Sequence, residues 1–349
     1  MSSATDLGQE RQDAVRSGFL PDRSGHLHPT RLCNLACLHC YSESDQRQVA
    51  ALDPELLCAA LDVLRQEGYA LLSLSGGEPL VYPSLGKIIA HAKSIGFRVT
   101  MISNGLLVNE RNDPLIDMLD GMAISFDGMA ESHNALRGRA DAFDRACKAV
   151  HRCAERGKPV AAAISLTRNA LPDLPDLADH LVSIGARALQ IRPVARAGRA
   201  RTLDDSSFFT ATDQARLYLV VLALQQELAG EVTLHCDLAP ADGLWQQRDA
   251  YAGLLGCGKD APHADRPLAD LVNPLVITDT GVLKPIAFDF DRRFDLLTLD
   301  AVTEMGLRDY KQEGLPALQE LVGGALAGMK DRPGLVDWFD HCARLSERA

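Results

Sequence analysis

Between His26 and Gly198 short apolar runs alternate with amphipathic stretches, and several of those stretches stop at a glycine: Gly68, Gly96, Gly157 and Gly185. A run too short for a helix, then a stretch with helical periodicity and a glycine stop, reads as one βα unit. The strand-like runs are His26–Thr30, Ala70–Leu74, Phe97–Ile102, Met122–Phe126, Pro159–Leu166 and Ala188–Arg192. Helices are expected over Asp53–Glu67, Ser84–Ser94, Pro114–Leu119, Ala140–Arg156 and Leu174–Ile184, the first opened by an Asp53 cap with Pro54 at its first position. A string of about six such units predicts a parallel sheet or barrel.

After Gly198 the pattern changes. Thr210–Ala229 reads as a long helix and Glu231–His235 as a strand. Pro274–Thr278 and Val282–Ile286 form a hairpin around Gly281, and Asp300–Ala349 is mostly helical. Three regions are therefore expected: an arm over 1–24, a barrel over 25–205 and a smaller α+β cap over 206–349. Composition is that of a globular chain, 349 residues with 46% hydrophobic and 24% charged. A net charge of −11 argues against a sequence-independent grip on nucleic acid. No apolar run is long enough to span a bilayer, and Met1–Arg16 lacks the apolar core of a signal peptide, so a cytoplasmic protein is expected.

Chemistry enters with Cys33, Cys37 and Cys40, spaced C-x3-C-x2-C after the first strand. Three thiolates so close in sequence can converge on one metal centre at little cost in loop entropy. Cubane iron–sulfur clusters and closed zinc sites normally use four protein ligands, so three leave a position open. Each later strand is followed by an unusual loop: Ser75-Gly-Gly-Glu-Pro79, Ser103-Asn-Gly105, Ser125-Phe-Asp-Gly128, Thr167-Arg-Asn169 and Pro193-Val-Ala-Arg-Ala-Gly198. Parallel strands of a barrel open their carboxyl ends on one face, which brings these loops to the cysteines.

Cys33/Cys37/Cys40 with Tyr41, Gly76-Gly77-Glu78-Pro79, Ser103-Asn104-Gly105 and Ser125-Phe126-Asp127-Gly128 together resemble a radical S-adenosylmethionine (SAM) enzyme over His26–Ala200. The resemblance implies a partial (β/α)6 TIM-like barrel, a [4Fe–4S] cluster on the three cysteines, and SAM chelating the fourth iron. It also implies an electron donor such as a flavodoxin or ferredoxin. By the same resemblance Gly76 and Gly77 offer carbonyls to the SAM ammonium, while Glu78 and Pro79 shape the turn. Ser125 and Asp127 match ribose or carboxylate contacts, and Asn104 lies in the matching loop of the third strand. His39 and Val194 match positions beside adenine, and Thr167 a further SAM contact. Arg137, in a segment like that of peptide-modifying members, and Arg192 are candidates for substrate. Asn134 departs from the Asp usual in that segment.

The C-terminal stretch Ile277-Thr-Asp-Thr-Gly281-Val-Leu-Lys-Pro285-Ile286 resembles the hairpin of the auxiliary-cluster domain in peptide-modifying (SPASM/twitch-type) members, with Ile286 where they carry cysteine. Cys236, Cys257 and Cys342 form no C-x2-C pair, so a degenerate cap without its own cluster is expected. The implied reaction is hydrogen abstraction from a peptide or peptide-derived substrate in natural-product or cofactor maturation. A radical SAM enzyme acting on a small molecule or nucleoside is the alternative. A non-catalytic iron–sulfur or zinc protein, with Cys58 as a fourth ligand, is the rival from another class. Cys147 and Cys153 read as buried small hydrophobes, His26 and His28 as packing residues, and Arg192, Arg196, Arg199 and Arg201 as a basic run on a solvated face.

Overall fold

The computed structural model describes residues 23–248 and 265–349. Cys257 and the arm before residue 23 lie outside them. Seven strands pair in parallel and in chain order: β1 (Ser24–Leu27), β2 (Leu71–Leu74), β3 (Arg98–Ser103), β4 (Gly121–Phe126), β5 (Val160–Leu166), β6 (Ala188–Pro193) and β7 (Thr233–Cys236). Helices α1 (Pro54–Gln66), α2 (Leu85–Ser94), α3 (Asp113–Met118), α4 (Ala130–Arg137), α5 (Ala142–Glu155), α6 (Leu174–Ser183) and α7 (Ala211–Glu227) fill the crossovers. The α/β class is as the sequence predicts. Among the described residues no helix is long and apolar enough to cross a membrane.

Local chemistry starts these helices where the sequence places them. The Asp53 carboxylate accepts from the backbone N–H groups of Glu55 (2.8 Å) and Leu56 (3.0 Å) at the head of α1. Leu57, Leu61 and Leu64 then recur at helical spacing and are buried against the sheet. At α7, Thr210 and Asp213 cap each other reciprocally. Helix α4 carries no sequence signal, because its buried residues are polar: His133 and Arg137 leave no apolar stripe to read.

The two faces of the sheet differ. Leu72, Val99, Met101, Ile124, Phe126, Ala162, Ile164 and Leu189 point one way and are buried under α1, α2, α5 and α6 in the main core. Each of the larger of these side chains, Ala162 excepted, contributes about 1.5–3 kcal/mol by leaving water. The alternate positions, Thr100, Ala123, Ser125, Ala161, Ala163, Ser165, Gln190 and Arg192, are small or polar and only half-buried. They line the other face, as alternation along a strand requires.

The C-terminal part joins this sheet rather than standing apart from it. Beyond β1 lie β9 (Leu275–Ile277), parallel to it, and β10 (Leu283–Pro285), antiparallel to β9, giving the order β10-β9-β1-β2-β3-β4-β5-β6-β7. The expected hairpin and the Glu231–His235 strand thus extend opposite edges of the sheet. A separate pair, β8 (Leu238–Pro240) and β11 (Leu335–Asp337), accompanies α8 (Ala241–Gln246), α9 (Glu304–Glu313), α10 (Leu315–Ala327) and α11 (Trp338–Ser346). Glu67, at the end of α1, ties this region down by accepting from the buried Lys311 ammonium (2.7 and 2.9 Å) and from the Leu268 N–H (2.6 Å).

Candidate active site

The cysteine loop leaves β1 at its carboxyl end, and its neighbours hold it by backbone as much as by side chain. Thr30 Oγ1 donates to the Ala50 carbonyl (2.8 Å), and the Cys33 N–H donates to Asp45 (3.1 Å), closing the base of the loop. From the loop after β2, the N–H groups of Gly77 and Glu78 donate to the carbonyls of Thr30 and Leu32 at 2.9 and 3.0 Å. A Cβ on Gly77 would sit 2.1 Å from the Leu32 oxygen. Gly77 is therefore required by the approach of the cysteine loop, not by a ligand alone. The carbonyls of Gly76 and Gly77 accept no hydrogen bond from the described residues, which leaves them available to an ammonium group.

Glu78 is wholly buried and binds inward. Its carboxylate accepts from Ser103 Oγ (2.9 Å), the Asn104 N–H (2.9 Å) and the Leu80 N–H (3.2 Å), joining the loops after β2 and β3. Burial raises its pKa, against the pull of those donors. Pro79 is buried in the same turn. Asn104 in turn donates to Asn34 Oδ1 (2.7 Å) and lies 3.9 Å from Cys33 Sγ.

From the loop after β4, Asp127 reaches the cysteine loop through His39 Nε2 at 3.0 Å and is gripped from below by Arg137. Burial alone would raise the Asp127 carboxyl, but the charges of Arg137 and His39 hold it well below the usual carboxylate range. Asp127, His39 and Arg137, expected as separate contacts to ribose, adenine and substrate, are thus joined in one buried network. Helix α4 adds a further tie, with the Leu38 N–H donating to the Leu136 carbonyl at 2.8 Å.

Ser125 faces the polar side of β4, directly paired with Ala163 of β5. Thr167 is buried after β5, while its neighbour Arg168 turns away to Asp213 of α7 (2.9 Å). Val194 packs into a small apolar cluster with Ala200 and Phe208. Arg192 sits at the end of β6 beside Asp237 (3.3 Å), whose charge raises its pKa. The loop after β6 then folds back onto the cysteines, where Arg199 meets the carbonyls of Cys37 and Ser44.

Sequence alone does not single out Arg199, which reads as part of a basic run on a solvated face, nor the wall formed by Phe288. That ring stacks on His28 at 4.9 Å and meets Tyr41 edge-on at 5.5 Å, so the C-terminal part supplies a side of the site. Burial lowers the His28 pKa to about 3, so the imidazole is neutral and packs, as expected. Ile286, just before this segment, holds φ at +66°, a left-handed conformation that costs a β-branched residue about 1–3 kcal/mol. No signal in the sequence marks that turn.

The donor set fits a cluster better than a single ion. All three thiols are free. Cys58 faces the main core from α1, and Cys33 packs in a separate small cluster with Leu35 and Leu106. Among the described residues no group of three His, Cys, Asp or Glu side chains is close enough to hold one ion. A [4Fe–4S] cluster puts each thiolate on a different iron and does not need that closeness, and three thiolates leave one iron for an outside chelator. Burial pushes the Cys33 thiol up to about 12 and the Cys37 thiol up to about 11, so metal binding here releases protons.

Residues 27–181 match the Radical SAM superfamily. Among curated proteins it is 32% identical over 155 residues to the Fe-coproporphyrin III synthase of Methanosarcina barkeri, covering 44% of this chain and 39% of that one. It is 30% identical over 236 residues to the mycofactocin maturase MftC of Mycobacterium tuberculosis, covering 66% and 58%. The first curated relatives are matched over only 39% to 43% of their own length. The fold of Streptococcus suis SuiB, solved bound to S-adenosylmethionine, superimposes with a TM-score of 0.64 over 90% of this chain and 72% of that one, at 12% identity. This likeness in fold extends well beyond residues 27–181.

Proposed function

We propose that this chain holds a [4Fe–4S] cluster on Cys33, Cys37 and Cys40 together with SAM, which would supply one-electron cleavage of the SAM C–S bond to methionine and a 5′-deoxyadenosyl radical that takes hydrogen from a peptide or peptide-derived substrate. The observation that carries the reading is the cysteine loop bound on four sides by the loops after β2, β3, β4 and β6. The free carbonyls of Gly76 and Gly77 suit the SAM ammonium, and Ser125 the ribose or carboxylate. Leu35 and Leu106 keep water from Cys33. The half-buried face of β3 to β6 gives the substrate a lining of small and polar side chains, with Arg192 at its rim.

A peptide substrate in natural-product or cofactor maturation is supported by the maturase among the relatives and by a SuiB structure solved with its precursor peptide. A small-molecule substrate is the second reading, favoured by the Fe-coproporphyrin III synthase. The deciding experiment is anaerobic reconstitution followed by reduction with SAM present. About four irons per chain and release of 5′-deoxyadenosine are expected, both lost in Cys33→Ala. An iron-replete protein that never cleaves SAM, with peptide or porphyrin candidates added, would overturn the reading in favour of a binding protein.

A further inference from the structure

We infer that Arg199 is the positioning residue that holds the second half of the cysteine loop in its cluster-binding shape, a role that rests on the cluster reading above. Its guanidinium donates from Nε to the Cys37 carbonyl (2.8 Å) and from Nη2 to the Ser44 carbonyl (2.6 Å), and its own N–H donates to the Cys40 carbonyl (3.0 Å). One residue, 155 to 162 positions away in sequence, thus ties together the segment that carries two of the three thiols. The fork geometry is what permits it, since a lysine ammonium is a point charge and cannot span both side-chain acceptors in the same way.

The approach is built in from both sides. Gly198, at φ +50°, has no room for a Cβ, which would lie 2.3 Å from the Tyr41 oxygen and 2.5 Å from that of Cys40. Behind it, fully buried Ala200 packs with Val194 and Phe208, and Thr202 Oγ1 donates to the Arg199 carbonyl (2.8 Å), so the platform is firm. The other arginines of the run are engaged elsewhere. Arg196 lies over the Phe208 ring at 3.8 Å and pairs with Asp205, Arg201 pairs with Glu347, and Arg192 with Asp237. Arg199 alone among these four turns into the cysteine loop. Ligands held in place before metal arrives lose less entropy on binding it, and a fixed cation beside a thiolate-bound cluster favours its reduction.

The test compares Arg199→Ala and Arg199→Lys with an Arg201→Ala control, all in the reconstituted full chain. Readouts are iron per chain, the rate of iron release to a chelator, and the reduction potential and electron paramagnetic resonance spectrum of the reduced cluster with and without SAM. Arg199→Ala is expected to release iron roughly tenfold faster, in the range of lost supporting contacts at metal sites, with a lower potential and an altered spectrum. Arg199→Lys should recover the potential but not the release rate, and Arg201→Ala should match wild type. If the alanine variant has a lower melting temperature without metal, the lysine variant decides by its release rate. Wild-type release, potential and spectrum in both Arg199 variants would overturn the role while leaving the cluster reading intact. A wild-type chain that takes up no iron overturns the cluster reading, and this role with it.

Discussion

Arg137 closes on Asp127 with two hydrogen bonds, Nε to Oδ2 at 2.6 Å and Nη2 to Oδ1 at 3.2 Å, both side chains lying inside the protein. The pair sits directly beneath His39 and so supports the cysteine loop from the β4 side. Removing Arg137 leaves the buried Asp127 carboxylate without its guanidinium partner, with histidines alone beside it. Arg137→Ala is expected to destabilise the chain by about 3–5 kcal/mol, read from the urea midpoint. The double change Arg137→Leu with Asp127→Asn should recover part of that loss. A double variant no more stable than the single would show that Asp127 matters chiefly through His39.

Two glycines make a matched contrast. Gly77→Ala forces a Cβ to within 2.1 Å of the Leu32 carbonyl oxygen, backbone that cannot swing aside, so reconstitution should yield little bound iron. Gly323, inside α10, has nothing within 4 Å of its missing Cβ. Gly323→Ala should raise stability by about 0.8–1 kcal/mol through helix propensity alone and leave iron content unchanged. Thermal melting of the metal-free protein together with an iron assay separates the two effects.

Asp337 gives the stability a pH dependence. Burial and the neighbouring Asp237 carboxylate push its pKa up to about 7, against the Asp340 N–H and the Arg192 charge. The unfolded group titrates near 3.8. The folded state therefore binds more protons between those values, and stability falls as pH rises from about 4 to 7, with the loss complete above. Asp337→Asn keeps an acceptor for the N-terminus of α11 and removes the charge. Denaturation midpoints at pH 5 and pH 8 should differ less in this variant than in wild type, through a gain at pH 8. An unchanged difference would assign the pH dependence to other groups.

The remaining cysteines should not matter for iron. Cys58 and Cys342 are buried in the main core, and burial raises the pKa of both thiols. Cys236 is held up to about 12 by burial at the end of β7. Alanine at each of these positions is expected to leave iron per chain at the wild-type value, whereas alanine at Cys37 or Cys40 should empty the site. Loss of iron in Cys236→Ala or Cys342→Ala would instead point to a second cluster.

What the sequence determined by itself was local. Apolar runs and glycine stops gave the order of strands and helices, because a βα unit is written in periodicity and capping within a few residues. The spacing of Cys33, Cys37 and Cys40 put three thiols in one loop for the same reason. Tertiary structure decided what lies between residues distant in the chain. It joined His39, Asp127 and Arg137 into one network, turned Arg199 out of a basic run and onto the cysteine loop, and carried β9 and β10 to the edge beside β1. Helix α4 stayed hidden because it buries a histidine and an arginine rather than an apolar stripe. Such positions are fixed by partners far away in sequence, and no periodicity or motif around them records which partner that is.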